Sequence, residues 1–287
     1  MNFKESWIKS FLGGISFSSL IILSLITFFI LKEGIQIIFK VGVAKFIFSA
    51  EWAPLENKFG ILPMLISTCI VTLLAVLLSL PIGLGTAIFL NEFANPKIST
   101  VIKPIIELLA AIPSVIYGFI GIQIISNLIR KYFGGSGLCV LNAAIVLSIM
   151  ILPMLVSISS DALRNVPYQY KEASYAMGAT KWQTIYHITL PAARSGILTA
   201  LILATGRALG ETMAVLMVIG NSTQIPKTLI SPARTLTSGI ALELGYAIGD
   251  HRRALFGCGV VLFALIMCLT LTLNLILRRK EKTKYLF

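Results

Sequence analysis

Residues 61–90 read ILPMLISTCIVTLLAVLLSLPIGLGTAIFL, without one Asp, Glu, Lys or Arg. A helix of about 20 residues already crosses the roughly 30 Å hydrocarbon layer of a bilayer, so a run of this length reads as a membrane span. Three further runs are equally free of charge, 11–31, 138–160 and 254–277, and two others, 104–128 and 191–219, are apolar but carry charges. Six segments of spanning length predict an all-α, polytopic membrane protein with six transmembrane helices. The composition agrees: of 287 residues, 56% are hydrophobic and only 13% charged, which excludes an ordinary soluble domain of this size.

The first run follows Lys4 and Lys9, as the core of a secretory signal does, but it is longer than such a core and no small-x-small cleavage pattern follows it. It reads as a retained anchor. Cys69, Cys139, Cys258 and Cys268 lie in or beside apolar segments with no CxxC spacing, which indicates packing residues and neither a metal site nor a disulfide framework. The net charge of +12 would suggest nucleic acid in a soluble chain; in a membrane chain basic residues set topology, and no nucleic-acid partner is expected. Arg278, Arg279, Lys280, Lys282 and Lys284 directly after the last run place that end in the cytoplasm, and an even number of spans brings the N-terminus to the same side. The expected organisation is an N-terminal anchor with the first external loop over 1–60, a five-helix core over 61–278 and a basic cytoplasmic tail over 279–287.

In that orientation 32–60, 129–137 and 220–253 are external, and 91–103 and 161–190 internal. Segment 220–253 is broken at Pro226 and Pro232, and TLTSGIALELGYAIG within it predicts a short helix over the mouth of the bundle. GGSG at 134–137 reads as a turn and not a phosphate cradle, since no Lys-Ser/Thr follows to open a helix. Pro63, Pro81, Pro113 and Pro153 fall inside the spans, where each removes a backbone hydrogen bond and invites a kink, although proline is also simply commoner in membrane helices.

Residues 172–191, EASYAMGATKWQTIYHITLP, predict helix, turn, helix: Gly178 terminates the first helix and Thr180 caps the second. Ala173, Ala176, Met177 and Ile185 make this hairpin too apolar for a solvated connector and suit docking into a partner's groove. The pattern E-A-x-x-x-x-G, nine residues, then I-x-L-P resembles the cytoplasmic loop of permease subunits in ATP-binding-cassette importers, with Glu172, Ala173, Gly178, Ile188, Leu190 and Pro191 at the matching places. The resemblance implies the type I importer permease fold and a coupling helix seated on a cytoplasmic ATPase. Ser174 departs from it, standing where Ala is usual. LLAAIPSVIYGF (108–119), GRALGETMAVLMVIGN (206–221), PARTLTSGIALELG (232–245) and WAPLENKFGILPML (52–65) narrow the resemblance to phosphate-importer permeases, from about Trp52 to Leu277. It implies a heterodimer with a second permease, an ATP-binding subunit dimer, an external phosphate-binding protein, and no cofactor. The chain contains no GxxxxGK[ST] and is expected to hydrolyse nothing itself.

Within 191–219, Arg207 falls about 24 Å along a helix begun at Pro191, near mid-membrane, where an ionised side chain costs several kcal/mol and normally faces the bundle interior or a water-filled path. Glu211, four residues on, would lie on the same face and within reach. Two readings stand. The pair is a structural ion pair, with Gly206 and Gly210 letting a neighbouring helix approach; or Arg207 is the translocation-path ligand for phosphate, because a permanently charged, planar guanidinium binds two phosphate oxygens at once. In the second reading Glu211 holds Arg207 when the path is empty, or accepts a hydrogen bond from a protonated phosphate oxygen. Thr205 and Thr212 are hydroxyls nearby that can equally bond back to their own helix. Glu107 is expected at the membrane interface, Asp161 and Arg164 at the base of the hairpin loop, and neither His187 nor His251 has the clustered partners of a metal ligand. A permease for another oxyanion remains an alternative; a gradient-driven carrier leaves the hairpin loop unexplained, and a membrane enzyme lacks convergent catalytic residues.

Overall fold

The computed structural model describes residues 3–282, helical throughout apart from one small β-hairpin and the loops. Helix α1 (Phe3–Val41) runs ten residues past the expected end of the first span, then turns at Gly42, whose φ of +94° suits glycine, into α2 (Val43–Phe48). Strands β1 (Trp52–Ala53) and β2 (Lys58–Phe59) pair antiparallel, Trp52 opposite Phe59, and lead into α3 (Leu62–Ile88), which continues as a π-helical turn over Phe89–Phe93.

The third predicted span is two pieces. α4 (Pro96–Ala111) starts from an Asn95 cap whose side chain accepts the Lys97 N–H; α5 (Ser114–Ile120), a π-helical turn and α6 (Ser126–Phe133) follow at 93° to it. Pro113 sits at the corner, where it has no N–H to continue the ladder, and the Tyr117 hydroxyl braces the bend by donating to the Leu109 carbonyl at 2.6 Å. Of the other prolines expected to kink, Pro63 occupies the first turn of α3, where no hydrogen bond is lost, and Pro81 and Pro153 lie inside helices that run on. Among the described residues the count is therefore five continuous helices long and apolar enough to span, and six with the bent pair.

α7 (Val140–Arg164) is the central helix, packed by α3 on one side. Then come α8 (Tyr168–Ala176), α9 (Lys181–Thr184), a π-helical turn over Ile185–Thr189 and α10 (Leu190–Gly210). The last three form one rod over 181–210, so the fifth span begins ten residues before Pro191. α10 buries Ala193, Ala200, Ala204 and Ala208, and a Cβ on Gly196 would lie 2.4 Å from Ala162 Cβ of α7. Small residues are what allow two backbones this close where no water drives association. After α10 the chain forms α11 (Met213–Val218), α12 (Leu236–Glu243) and α13 (Gly249–Lys282). α12 is the short helix expected in the second long loop. α13 docks on α1 through Gly34, where a Cβ would lie 2.6 Å from Val260 Cγ2, and extends through most of the basic segment; Lys284 and the rest of the tail lie outside the described residues.

Candidate functional site

α10 ends at Gly210, and Glu211 adopts extended angles of −68° and 132°. The break has local causes. Two glycines in the last turn weaken the helix, and the Glu211 carboxylate accepts the Ala214 N–H at 3.2 Å, supplying the start of α11 with a cap that Thr212 does not give. The carbonyl released at Glu211 accepts the Thr237 hydroxyl of α12 at 2.8 Å, and Leu236 N–H is taken by Thr68 of α3 at 3.0 Å. Irregular backbone inside a membrane protein persists only where such partners exist. Thr205 and Thr212 bond backwards, to Leu201 O at 2.7 Å and Gly210 O at 3.2 Å, as the second of their two expected roles has it.

Because the helix stops at Gly210, the i,i+4 relation between Arg207 and Glu211 does not hold, and no ion pair joins them among the described residues. Arg207 makes no hydrogen bond or salt bridge there. It lies eleven residues, about 16.5 Å, beyond Gly196, which touches the end of α7 at Ala162, and so stands level with the middle of that 25-residue helix. Leu203, Gly206, Arg207 and Gly210 follow the i, i+3, i+4, i+7 rule of one helix face; Leu203, Arg207 and Gly210 are exposed, Gly206 is half-buried, and no described residue lies within 4 Å of a Cβ placed on Gly206 or Gly210.

At the far end of the rod the hairpin is fixed by its own sequence. Gly178 takes φ +82°, Thr180 and Gln183 form a reciprocal capping box, and Ser174 Oγ meets Thr184 Oγ1 at 2.9 Å. The departure at Ser174 therefore ties the two arms together. Glu172, Ala173 and Gly178 are exposed on α8 and its turn, Met177 is 87% exposed, and Ala173, Met177, Ile188 and Pro191 line a groove of about 650 Å³. Leu190 packs inward against Ala193 and Leu163. Met and aromatic side chains displayed this openly are the composition of a contact surface.

Asp161 and Arg164 stand in the last turn of α7 at the base of the hairpin loop, as expected, and with Lys103 and Glu107 line a pocket of about 170 Å³ between α4 and α7. The ion pair that holds the hairpin is that of Lys171, 2.5 Å from Glu92 in the π-helical turn after α3. His251 does have a partner: its Nε2 lies 2.8 Å from Glu243, whose carboxylate also accepts Trp52 Nε1–H at 3.0 Å and pairs with Arg234. The cluster joins β1, the segment before α12, α12 and α13. It is an ion-pair network, not a metal site, and among the described residues no group of His, Cys, Asp and Glu could hold a metal. His187 faces outward, its Nδ1 3.1 Å from Gln183 O. Sequence reading missed Glu243, Arg234, Trp52, Glu92 and Lys171 as sites: Trp52 and Glu243, and Glu92 and Lys171, are far apart along the chain, and Arg234 and Glu243, nine apart, lie on either side of the start of α12, where no helical spacing relates them.

Comparison with known proteins bears on this arrangement. Residues 79–282 match the family described as binding-protein-dependent transport system inner membrane component. The chain is 38% identical to a probable ABC transporter permease protein, YqgH, of Bacillus subtilis, over 89% of this chain and 85% of that one. It is also 38% identical to the phosphate transport system permease protein PstC of Xylella fastidiosa, over 83% and 79%. A solved bacterial ABC transporter involved in import of the acidic polysaccharide alginate superposes with a TM-score of 0.66 at 18% identity, covering 96% of this chain and 98% of that one, a likeness of fold. The all-α polytopic bundle is the type I importer permease fold, and the chain belongs to the family of binding-protein-dependent ABC importer permeases, among the relatives of PstC.

Proposed function

We propose that the chain is the permease subunit of an ATP-driven importer that carries inorganic phosphate across the cytoplasmic membrane. The observation that carries the reading is the uncovered face of α10. It sets a permanently charged guanidinium at mid-depth, beside a helix break, with no ion pair to any described residue. A charge left so in hydrocarbon would be costly, so the face requires a water-filled path and a covering partner. A second permease against Leu203, Gly206 and Gly210 supplies both, and phosphate then passes between the two subunits across Arg207. Glu211 is the weaker member of the site: its carboxylate is engaged with Ala214 N–H, and its role is to hold the break open beside Arg207. The similarity to phosphate permeases selects the cargo.

The hairpin, through Glu172, Ala173, Gly178, Ile188 and Pro191, with Leu190 packed inward to anchor the rod behind them, seats on one member of an ATP-binding subunit dimer, and a phosphate-loaded external protein docks over α12. This puts the hairpin and both termini in the cytoplasm, with residues 1–60 as anchor and first external loop, 61–278 as the permease core and 279–287 as the basic tail. The permease hydrolyses nothing itself and needs no cofactor. A permease for another oxyanion is the alternative, since Arg207 alone does not tell phosphate from sulfate. The test is competition: proteoliposomes holding the complete transporter take up labelled phosphate, and excess sulfate or molybdate leaves uptake within about twofold on the phosphate reading. Uptake of sulfate or molybdate in preference to phosphate refutes it.

A further inference from the structure

Both arms of the hairpin hold the same five residues. From α8, Lys171 reaches Glu92, with side chains only 15% and 6% exposed. From α9, the Lys181 ammonium stands 4.7 Å over the Phe93 ring, and the Trp182 ring lies 6.5 Å from it. Glu92 and Phe93 belong to the π-helical turn Phe89–Phe93, closed by the Ala94 N–H to Phe89 carbonyl bond at 2.8 Å. The same turn reaches the other way. Asn91 donates to Ser160 of α7 at 2.6 Å, and Leu90 walls the pocket lined by Lys103, Glu107, Asp161 and Arg164, four charges that form no ion pair with one another among the described residues. A π turn is a local departure from α-helical bonding that concentrates at functional sites, and a buried ion pair adds little stability over an apolar pair while fixing geometry closely. The turn is thus gripped by the hairpin on one side and forms the wall of a charged cavity on the other.

We propose that the Glu92–Lys171 pair is a transmission joint. It carries displacement of the hairpin into the end of α3 and so into the wall of the charged pocket, by a route separate from the covalent continuation of the hairpin into α10. Glu92 and Lys171 are positioning residues in this account, which rests on the reading that the hairpin seats on an ATPase. The experiment uses the complete transporter in liposomes and measures phosphate taken up per ATP hydrolysed, together with the yield of assembled complex, for wild type, Glu92→Lys, Lys171→Glu, the double exchange and Glu92→Gln. The joint predicts that each single variant assembles yet loses about tenfold in uptake per ATP, and that the double exchange regains at least about half of the wild-type ratio. Single variants with a wild-type ratio overturn it, as does a double exchange no better than the singles. If charge reversal prevents assembly, Glu92→Gln decides alone: an assembled complex with an unchanged ratio overturns the joint. A wild-type complex that assembles but takes up no phosphate refutes the functional reading and the joint together, whereas a working wild type with unaffected variants refutes the joint only.

Discussion

Glu243 and Arg207 are both charged groups lodged among apolar helices, and they are treated in opposite ways. Glu243 is 7% exposed and answered on every side, by Arg234, by Trp52 Nε1–H and by His251. Arg207 has no such partner among the described residues and is exposed on its helix face. A satisfied buried network specifies which segments meet; an unanswered charge at membrane depth marks where something else must come. The first is architecture that joins four segments, and the second, in the function proposed above, is the opening for cargo and partner.

Substitutions can break this contrast or sharpen it. The largest effect is expected at Arg207: Arg207→Gln removes two charge-assisted hydrogen bonds to the anion, at about 1.5–3 kcal/mol each, so phosphate uptake falls at least roughly a hundredfold. Thermal unfolding in detergent should stay within about 2 °C of wild type, because no hydrogen bond or ion pair among the described residues is lost. Glu243→Ala does the reverse, leaving the Trp52 N–H without its acceptor and the Arg234 charge with only the Asn221 carbonyl, and should destabilise by about 3–5 kcal/mol in chemical denaturation. Gly196→Leu forces α10 from Ala162 and is expected to lose about 1–3 kcal/mol in the same assay. Thr237→Val leaves the Glu211 carbonyl without its donor at the helix break, a loss of about 1–2 kcal/mol that Thr237→Ser recovers in part. Smallest is Ser174→Ala, which removes one hydroxyl contact across the hairpin and should lower stability by no more than about 1 kcal/mol.

The contrast also marks what a sequence discloses. The turn of the hairpin was legible, since Gly178 and Thr180 act on neighbours within a few positions and capping chemistry is local, whereas the start of α8 at Tyr168, four residues before Glu172, and the return bond of Gln183 were not singled out. The spans were legible as apolar length, though their ends were not. The rod over 181–210 starts before Pro191 because proline in a first turn does not stop a helix, and α1 runs on through Lys32 and Lys40 because charged side chains near a membrane surface do not stop one either. The break after Gly210 was present in the sequence as GRALGET but read as continuous; its cause includes Thr237, 26 positions on. Glu243 with Trp52, and Glu92 with Lys171, are separated by 191 and 79 positions, and no periodicity carries information across such distances. Arg207 could be singled out without a structure because its signal is an absence, a charge in a run where none is tolerated idly.

The most direct test of this account is a paired measurement on the reconstituted transporter, phosphate uptake and thermal stability for Arg207→Gln beside Glu243→Gln. The account predicts that Arg207→Gln keeps its stability and loses transport, whereas Glu243→Gln loses stability and, at temperatures where it remains folded, keeps most of its transport. An Arg207→Gln protein that transports at the wild-type rate, or one that unfolds as Glu243→Gln does, would show that Arg207 is part of the scaffold and that the path lies elsewhere.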